Sequence, residues 1–213
     1  MSGVQQVLMA LHAEAAGGPP TFVAAETARN GGSDLVIDKP AGTVDGDILL
    51  AIIAGGLAPT SAPAGWSLIE TQEGASPSLY AYIKAASSEG ADYTWGGVNT
   101  HCGAILTFRG ASATIDVDGS GTFSGVTNPS APSVTTTGTN RVVIAAQANN
   151  DSGNPASAPS GMTEHADLSD GSGNSSLSVA TVVQPSSGAS GAKQFGLAFS
   201  ADGCIYTVAL SPA

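Results

Sequence analysis

His101 beside Cys102 is the pairing with the most evident chemical potential in this chain, because an imidazole next to a thiol can activate it as a nucleophile. The surrounding residues read as a strand, however, and adjacent strand residues point to opposite faces, so the ring is not placed to take the thiol proton. Glu164 beside His165 lies in a turn-rich segment without a third group to orient it, and reads as a solvated loop. Asp116, Asp118, Gly119 and Ser120 imitate the start of a calcium loop, but the later ligands and the bidentate Glu are missing, which leaves a solvated turn. Asp170 to Gly173 is no phosphate cradle, because no strand-to-helix transition surrounds it. A glycoside hydrolase would need two carboxyl groups across a cleft, and no Asp or Glu stands in such a motif. The expectation is a protein that is not an enzyme, with no catalytic residue, no cofactor and no metal site.

Trp66 and Trp95 could serve as platforms for sugar rings if exposed. Trp66 follows Pro63-Ala64-Gly65 at the start of a strand and Trp95 closes Tyr93-Thr94-Trp95, positions that usually feed a core.

The elements that position these residues are strands. From Lys39 to Gly110 the chain is a series of short apolar runs fenced by Gly, Pro, Asn, Asp and Ser. Ile48 to Ile53 is unbroken and too short for a typical helix, so it belongs in the centre of a sheet with both faces covered. Cys102, Ala104, Leu106 and Phe108 alternate with His101, Gly103, Ile105 and Thr107 and form a core-facing row. Leu79, Ala81 and Ile83 alternate with Tyr80, Tyr82 and Lys84, and this second row is expected to see water. Thr21 to Ala25 and Leu35 to Asp38 read as leading strands around a turn at Asn30, Gly31 and Gly32.

The blocks return in order. Asn140 to Asn150 stands where Asp47 to Gly56 stood, Pro159-Ser160-Gly161-Met162 matches Pro63-Ala64-Gly65-Trp66, and Cys204 matches Cys102. Two pseudo-repeats, about 34–110 and 130–213, predict an all-β, two-sheet antiparallel β-sandwich, jelly-roll-like, as one domain over 21–213. Residues 111–133 read as the crossover between halves, with one strand near Ile115 to Val117, and Val134 to Thr137 leads the second half.

Low charge, 11% of residues, with 28 glycines argues against a helical bundle. The net charge of -11 leaves six scattered basic residues and no basic patch, so neither nucleic acid nor an anionic membrane is an expected partner. Cys102 and Cys204, each in an apolar row, read as buried thiols rather than a disulfide. In residues 1–20, Val4, Val7, Leu8 and Leu11 fall at helical spacing before Gly17-Gly18-Pro19-Pro20, which predicts a short N-terminal helix or arm. It either packs on its own sandwich or anchors the chain to another subunit. No segment has the length of a transmembrane span.

The pattern KPAGTVDGDILLAIIA, PAGWSLIET, LYAYIKAA, DYTWGG and GAILTFRG, followed by TTTGTNRVVIAA, PSGM and YTVALSPA, resembles a recurrent β-sandwich domain of tailed-phage virion proteins and some bacterial surface proteins. The opening SGVQQVLMAL resembles the leader of phage structural proteins. The resemblance implies a virion component of the capsid decoration, head fibre or tail appendage type, localised to the virion, with other capsid or tail proteins as partners and a homo-oligomeric state. The alternative is a module that binds host-surface glycans. Met162, where the family often has an aromatic, puts a duplicated ligand site in doubt.

Overall fold

The unbroken run Ile48–Gly55 is the middle strand of a sheet in the computed structural model, and every residue of it is buried. The structure describes residues 17–30, 32, 34–97, 101–151, 153–154, 156–169 and 175–213. The expected N-terminal helix with Val4, Val7, Leu8 and Leu11 lies outside the described residues, as do Gly31 and the stretch from Asp170 to Gly173.

The first sheet is built from β1 (Thr21–Asn30), β3 (Ile48–Gly55), β4 (Ser67–Gln72), β5 (Ser78–Ala85) and β7 (His101–Arg109), while β2 (Leu35–Asp38) and β6 (Asp92–Trp95) form a separate ladder. The second sheet is built from β8 (Ala111–Val126), β11 (Arg141–Asn149), β13 (Thr163–Ser169), β14 (Ser176–Gln184) and β18 (Ala201–Pro212). Short strands complete the second half: β9 (Ser130–Ala131), β10 (Thr135–Thr136), β12 (Ala156–Ser157), β15 (Gly188–Ala189), β16 (Lys193–Gln194) and β17 (Gly196–Leu197).

Both five-stranded sheets are antiparallel, in the orders β1-β7-β3-β5-β4 and β8-β18-β11-β14-β13, which correspond strand for strand. The registers correspond as well. Ile48 lies opposite Phe108 and Val142 opposite Leu210; Ala54 lies opposite Cys102 and Ala148 opposite Cys204. The Pro-x-Gly turns match too: Trp66 N donates to Pro63 O and Met162 N to Pro159 O, with Gly65 and Gly161 at φ 82° and 78°. That left-handed backbone suits Gly in the third position of a type II turn. The sheets show no jelly-roll closure among the described residues; each half of the chain keeps its five principal strands in one sheet.

The sheets bury their inner faces against each other. Leu50, Ile52, Leu106 and Phe108 of the first meet Ile144, Val179, Tyr206 and Val208 of the second in one apolar cluster that includes both cysteines. Each outer face has its own cover. Over the first sheet the β2·β6 ladder lays Leu35, Ile37, Tyr93 and Trp95 on Leu49, Ile53, Tyr80 and Tyr82. Over the second, Ala131, Phe195 and Leu197 lie on Ala145 and Ile205.

Two expectations are corrected. The row expected to see water keeps Tyr80 and Tyr82 2% and 6% exposed, because the β2·β6 ladder arrives from distant sequence to cover it. Residues 111–126 are no crossover but a 16-residue edge strand of the second sheet, paired along β18. Gly119 and Gly121 hide the strand pattern there, and an edge tolerates such residues together with bulges.

Candidate functional site

Cys102 belongs to the core between the sheets, while His101, its neighbour in β7, points the other way and places Nε2 2.6 Å from the carbonyl oxygen of Leu57. Alternation along the strand thus separates imidazole from thiol. Cys204 also lies in the core, its Sγ 3.4 Å from the carbonyl oxygen of Gln72, and burial pushes its pKa up to about 11. Neither cysteine is in a disulfide.

Glu164 and His165 lie in β13 rather than in a loop, because residues 163–169 pair with β14. A register shift between Glu164 and Ala166 leaves His165 in a bulge, where its ring stacks on Phe22 of β1 with centroids 3.7 Å apart. Its Nε2 is 2.8 Å from Thr181 Oγ1, and burial lowers its pKa. Burial and the neighbouring charge of Asp167 raise that of Glu164. The bulge therefore turns His165 into a closing piece between the sheets, spanning from β13 to β1.

Asp116 and Asp118 are also strand residues, with their oxygens engaged by protein groups. Asp116 accepts from the backbone and hydroxyl of Thr137 and forms an ion pair with Arg141 at 3.3 Å. Asp118 accepts from the Tyr206 hydroxyl at 3.1 Å. Among the described residues, no group of three His, Cys, Asp or Glu side chains is placed to hold a metal ion.

Trp66 and Trp95 are 8% and 0% exposed, as the core reading predicts, and pack edge-on with centroids 5.4 Å apart. Tyr93 joins them at 5.2 Å from Trp66. Its hydroxyl donates to Glu89 at 3.0 Å, and Lys84 meets the same carboxylate at 2.7 Å. Burial opposes the charge on Glu89, but the bonds from Lys84, Ser87 N and Tyr93 outweigh it and hold that carboxyl below its ordinary range. The cluster is a packing unit with a charged lid.

What the strands do position is two unlike poles. At one, β1 begins and β7 ends, and Gly17 O accepts from Asn140 Nδ2 at 3.1 Å while Ala213 N donates to Gly110 O at 2.9 Å. The chain therefore enters β1 beside its last residue. Ion pairs brace this pole: Arg109 reaches Asp47 at 2.9 Å, and Arg141 reaches Asp116.

The opposite pole gathers the turns that follow β3, β4 and β11 and precede β7 and β18. Phe199 is 62% exposed there, yet its backbone is held in both directions by the buried side chain of Asn154: Nδ2 donates to Phe199 O at 2.8 Å and Oδ1 accepts from Phe199 N at 2.9 Å. Beside β8 a cleft of about 250 Å³ opens between the sheets, lined by Ala75, Ser76, Phe123, Ser124, Asn150 and Asp202 among others. Sequence reasoning missed this cleft, whose two walls lie far apart in the chain.

Comparison of the chain with protein-family models, with curated proteins and with solved structures finds no match.

Proposed function

We propose that this chain is a non-enzymatic structural component of a phage virion, an outward-facing decoration, fibre or appendage protein attached through the residues that precede Gly17. The observation that carries the reading is the polarity of the fold. Gly17 and Ala213 leave the body at one pole, so an attachment there sends the loops of the other pole away from the particle. Val4, Val7, Leu8 and Leu11 are apolar residues at helical spacing in the sequence, and burying such side chains against another virion protein is worth roughly 1.5 to 3 kcal/mol each.

The sheet edges support attachment by the arm rather than by strand pairing. Each of the four outer ladders has a register shift, at Val23 in β1, Ile69 in β4, His165 in β13 and several points along β8, while the four inner ladders have none. Bulged edges resist addition of a further strand. The acidic composition favours solubility at high local concentration and suits the outside of a particle rather than its nucleic acid interior.

A truncation beginning at Thr21 tests the reading through its melting curve and its incorporation into particles. Normal folding with lost incorporation is expected. Normal incorporation overturns attachment by the arm.

A further inference from the structure

We propose that in the free chain Val4, Val7, Leu8 and Leu11 dock in a groove of their own body, at the end of β14, and that attachment to a particle draws them out. The proposal rests on the attachment reading and adds its regulation. The groove, of about 390 Å³, is lined by Val182, Val183, Pro185, Ala189 and Lys193 among others. The matching place in the first sheet is built differently. Leu49 and Ile48 of β3 lie opposite Lys84 and Ala85, whereas Val143 and Val142 of β11 lie opposite Val182 and Val183. Both valines run past the edge strand, since β13 begins at Thr163 opposite Thr181, and Val183 is left 45% exposed. A contiguous apolar hollow with a rim of serines is the kind of surface that marks a contact.

The occupant follows from where the chain enters the body. Asn140 holds the groove and the root of the arm together: its N donates to Pro185 O at 3.2 Å and its Nδ2 to Gly17 O at 3.1 Å. The segment that precedes Gly17 therefore starts at the groove wall. Leu11 is six residues from Gly17, a span of at most roughly 20 Å, and Val183 is two residues from Pro185, so the apolar residues are within reach of the valines. Charge agrees with this choice. Residues 1–16 contain Glu14 and no Lys or Arg, while Lys193 is the one charged residue in the groove lining. Its Nζ donates to Ser190 O at 2.7 Å, and an ammonium has three donors, so it keeps donors for the Glu14 carboxylate. Docking on the chain's own body keeps these side chains from joining free copies to one another. The hollow is small, so a virion protein that buries more of their area takes the arm from it.

The test is paramagnetic broadening of amide NMR signals in the full chain. A nitroxide is attached at Gln6→Cys, a position off the apolar spacing, and the buried native cysteines do not compete for the label. The amides of Val183, Gly188 and Ala189 should lose most of their intensity. They should lose more than those of Val44 and Asp45, which lie at the same pole beside the start of β3. A mixture of isotope-labelled chain without nitroxide and unlabelled chain with it should show no broadening. Val183→Asp should return the groove amides to the level of Val44 and Asp45 while the rest of the spectrum is retained. Equal broadening around the pole, or an unchanged pattern in Val183→Asp, overturns the proposal. Broadening in the mixture also overturns it, by assigning the groove to the arm of another copy. A docked arm on a chain that never enters particles would overturn the virion reading alone; incorporation with an undocked arm would overturn this contact alone.

Discussion

The imidazole of His101 lies across Gly55, its partner on β3, and a Cβ built on Gly55 would collide with the ring. In the second sheet the corresponding pair is reversed. Asn149 of β11 lies opposite Gly203 of β18, where a Cβ would collide with the carbonyl oxygen of Ala148. Each sheet therefore ends its central ladder with one large polar side chain and one glycine. Gly55→Ala should destabilise the protein by about 1 to 3 kcal/mol through overpacking. Gly55→Ala combined with His101→Ala should cost less than the two single losses added, and a double-mutant cycle in urea measures that coupling.

Asp47 gives the fold an acid limit. Burial opposes its charge, but hydrogen bonds from Arg109 and Val44 N and the guanidinium charge outweigh it and hold its pKa below 3.8. A carboxyl lowered in the folded state contributes stability that is complete above its unfolded pKa and is lost as pH falls through the folded one. Stability measured by urea unfolding should therefore drop as pH is lowered through and below 3.8, and Arg109→Gln should shrink that drop.

His165 contributes over a higher window. Its pKa is lowered from 6.5 by burial, so the folded protein resists its protonation. That share of stability is present above pH 6.5 and is lost as pH falls from there through the lower folded value. His165→Gln should flatten the stability profile just below 6.5, and the same urea series on the variant measures it.

Both cysteines should stay silent in the native protein. They are fully buried, and burial raises the pKa of Cys204 to about 11, so little thiolate forms at neutral pH. A thiol reagent such as dithionitrobenzoate should label the chain only after denaturation, and a reducing agent should leave the melting temperature unchanged. Cys102→Ser should cost on the order of 1 to 3 kcal/mol if its hydroxyl lacks a partner.

Local pattern made the framework legible. The run from Ile48 to Ile53, the row from Cys102 to Phe108 and the matching Pro-x-Gly turns all stand where their spacing predicts, and Leu49, Ile52, Leu106, Phe108, Ile144, Val179, Val208 and Leu210 are buried. What was not legible depends on contacts distant in sequence. Tyr80 and Tyr82 read as an exposed row because nothing local announces that β2 and β6 pair above them. The strand β8 was obscured by its glycines, and with it one wall of the cleft formed by Phe123, Ser124, Asn150 and Asp202.

The orientation of the body on a particle tests the central claim most directly. Because the native cysteines are buried, Phe199→Cys and Ala213→Cys each place a single reactive thiol at one pole. Intact particles carrying either variant are treated with a maleimide dye that cannot cross the shell. The account predicts strong labelling at position 199 and protection at position 213. Labelling at 213 with protection at 199, or particles that contain no copy of the chain, would contradict it.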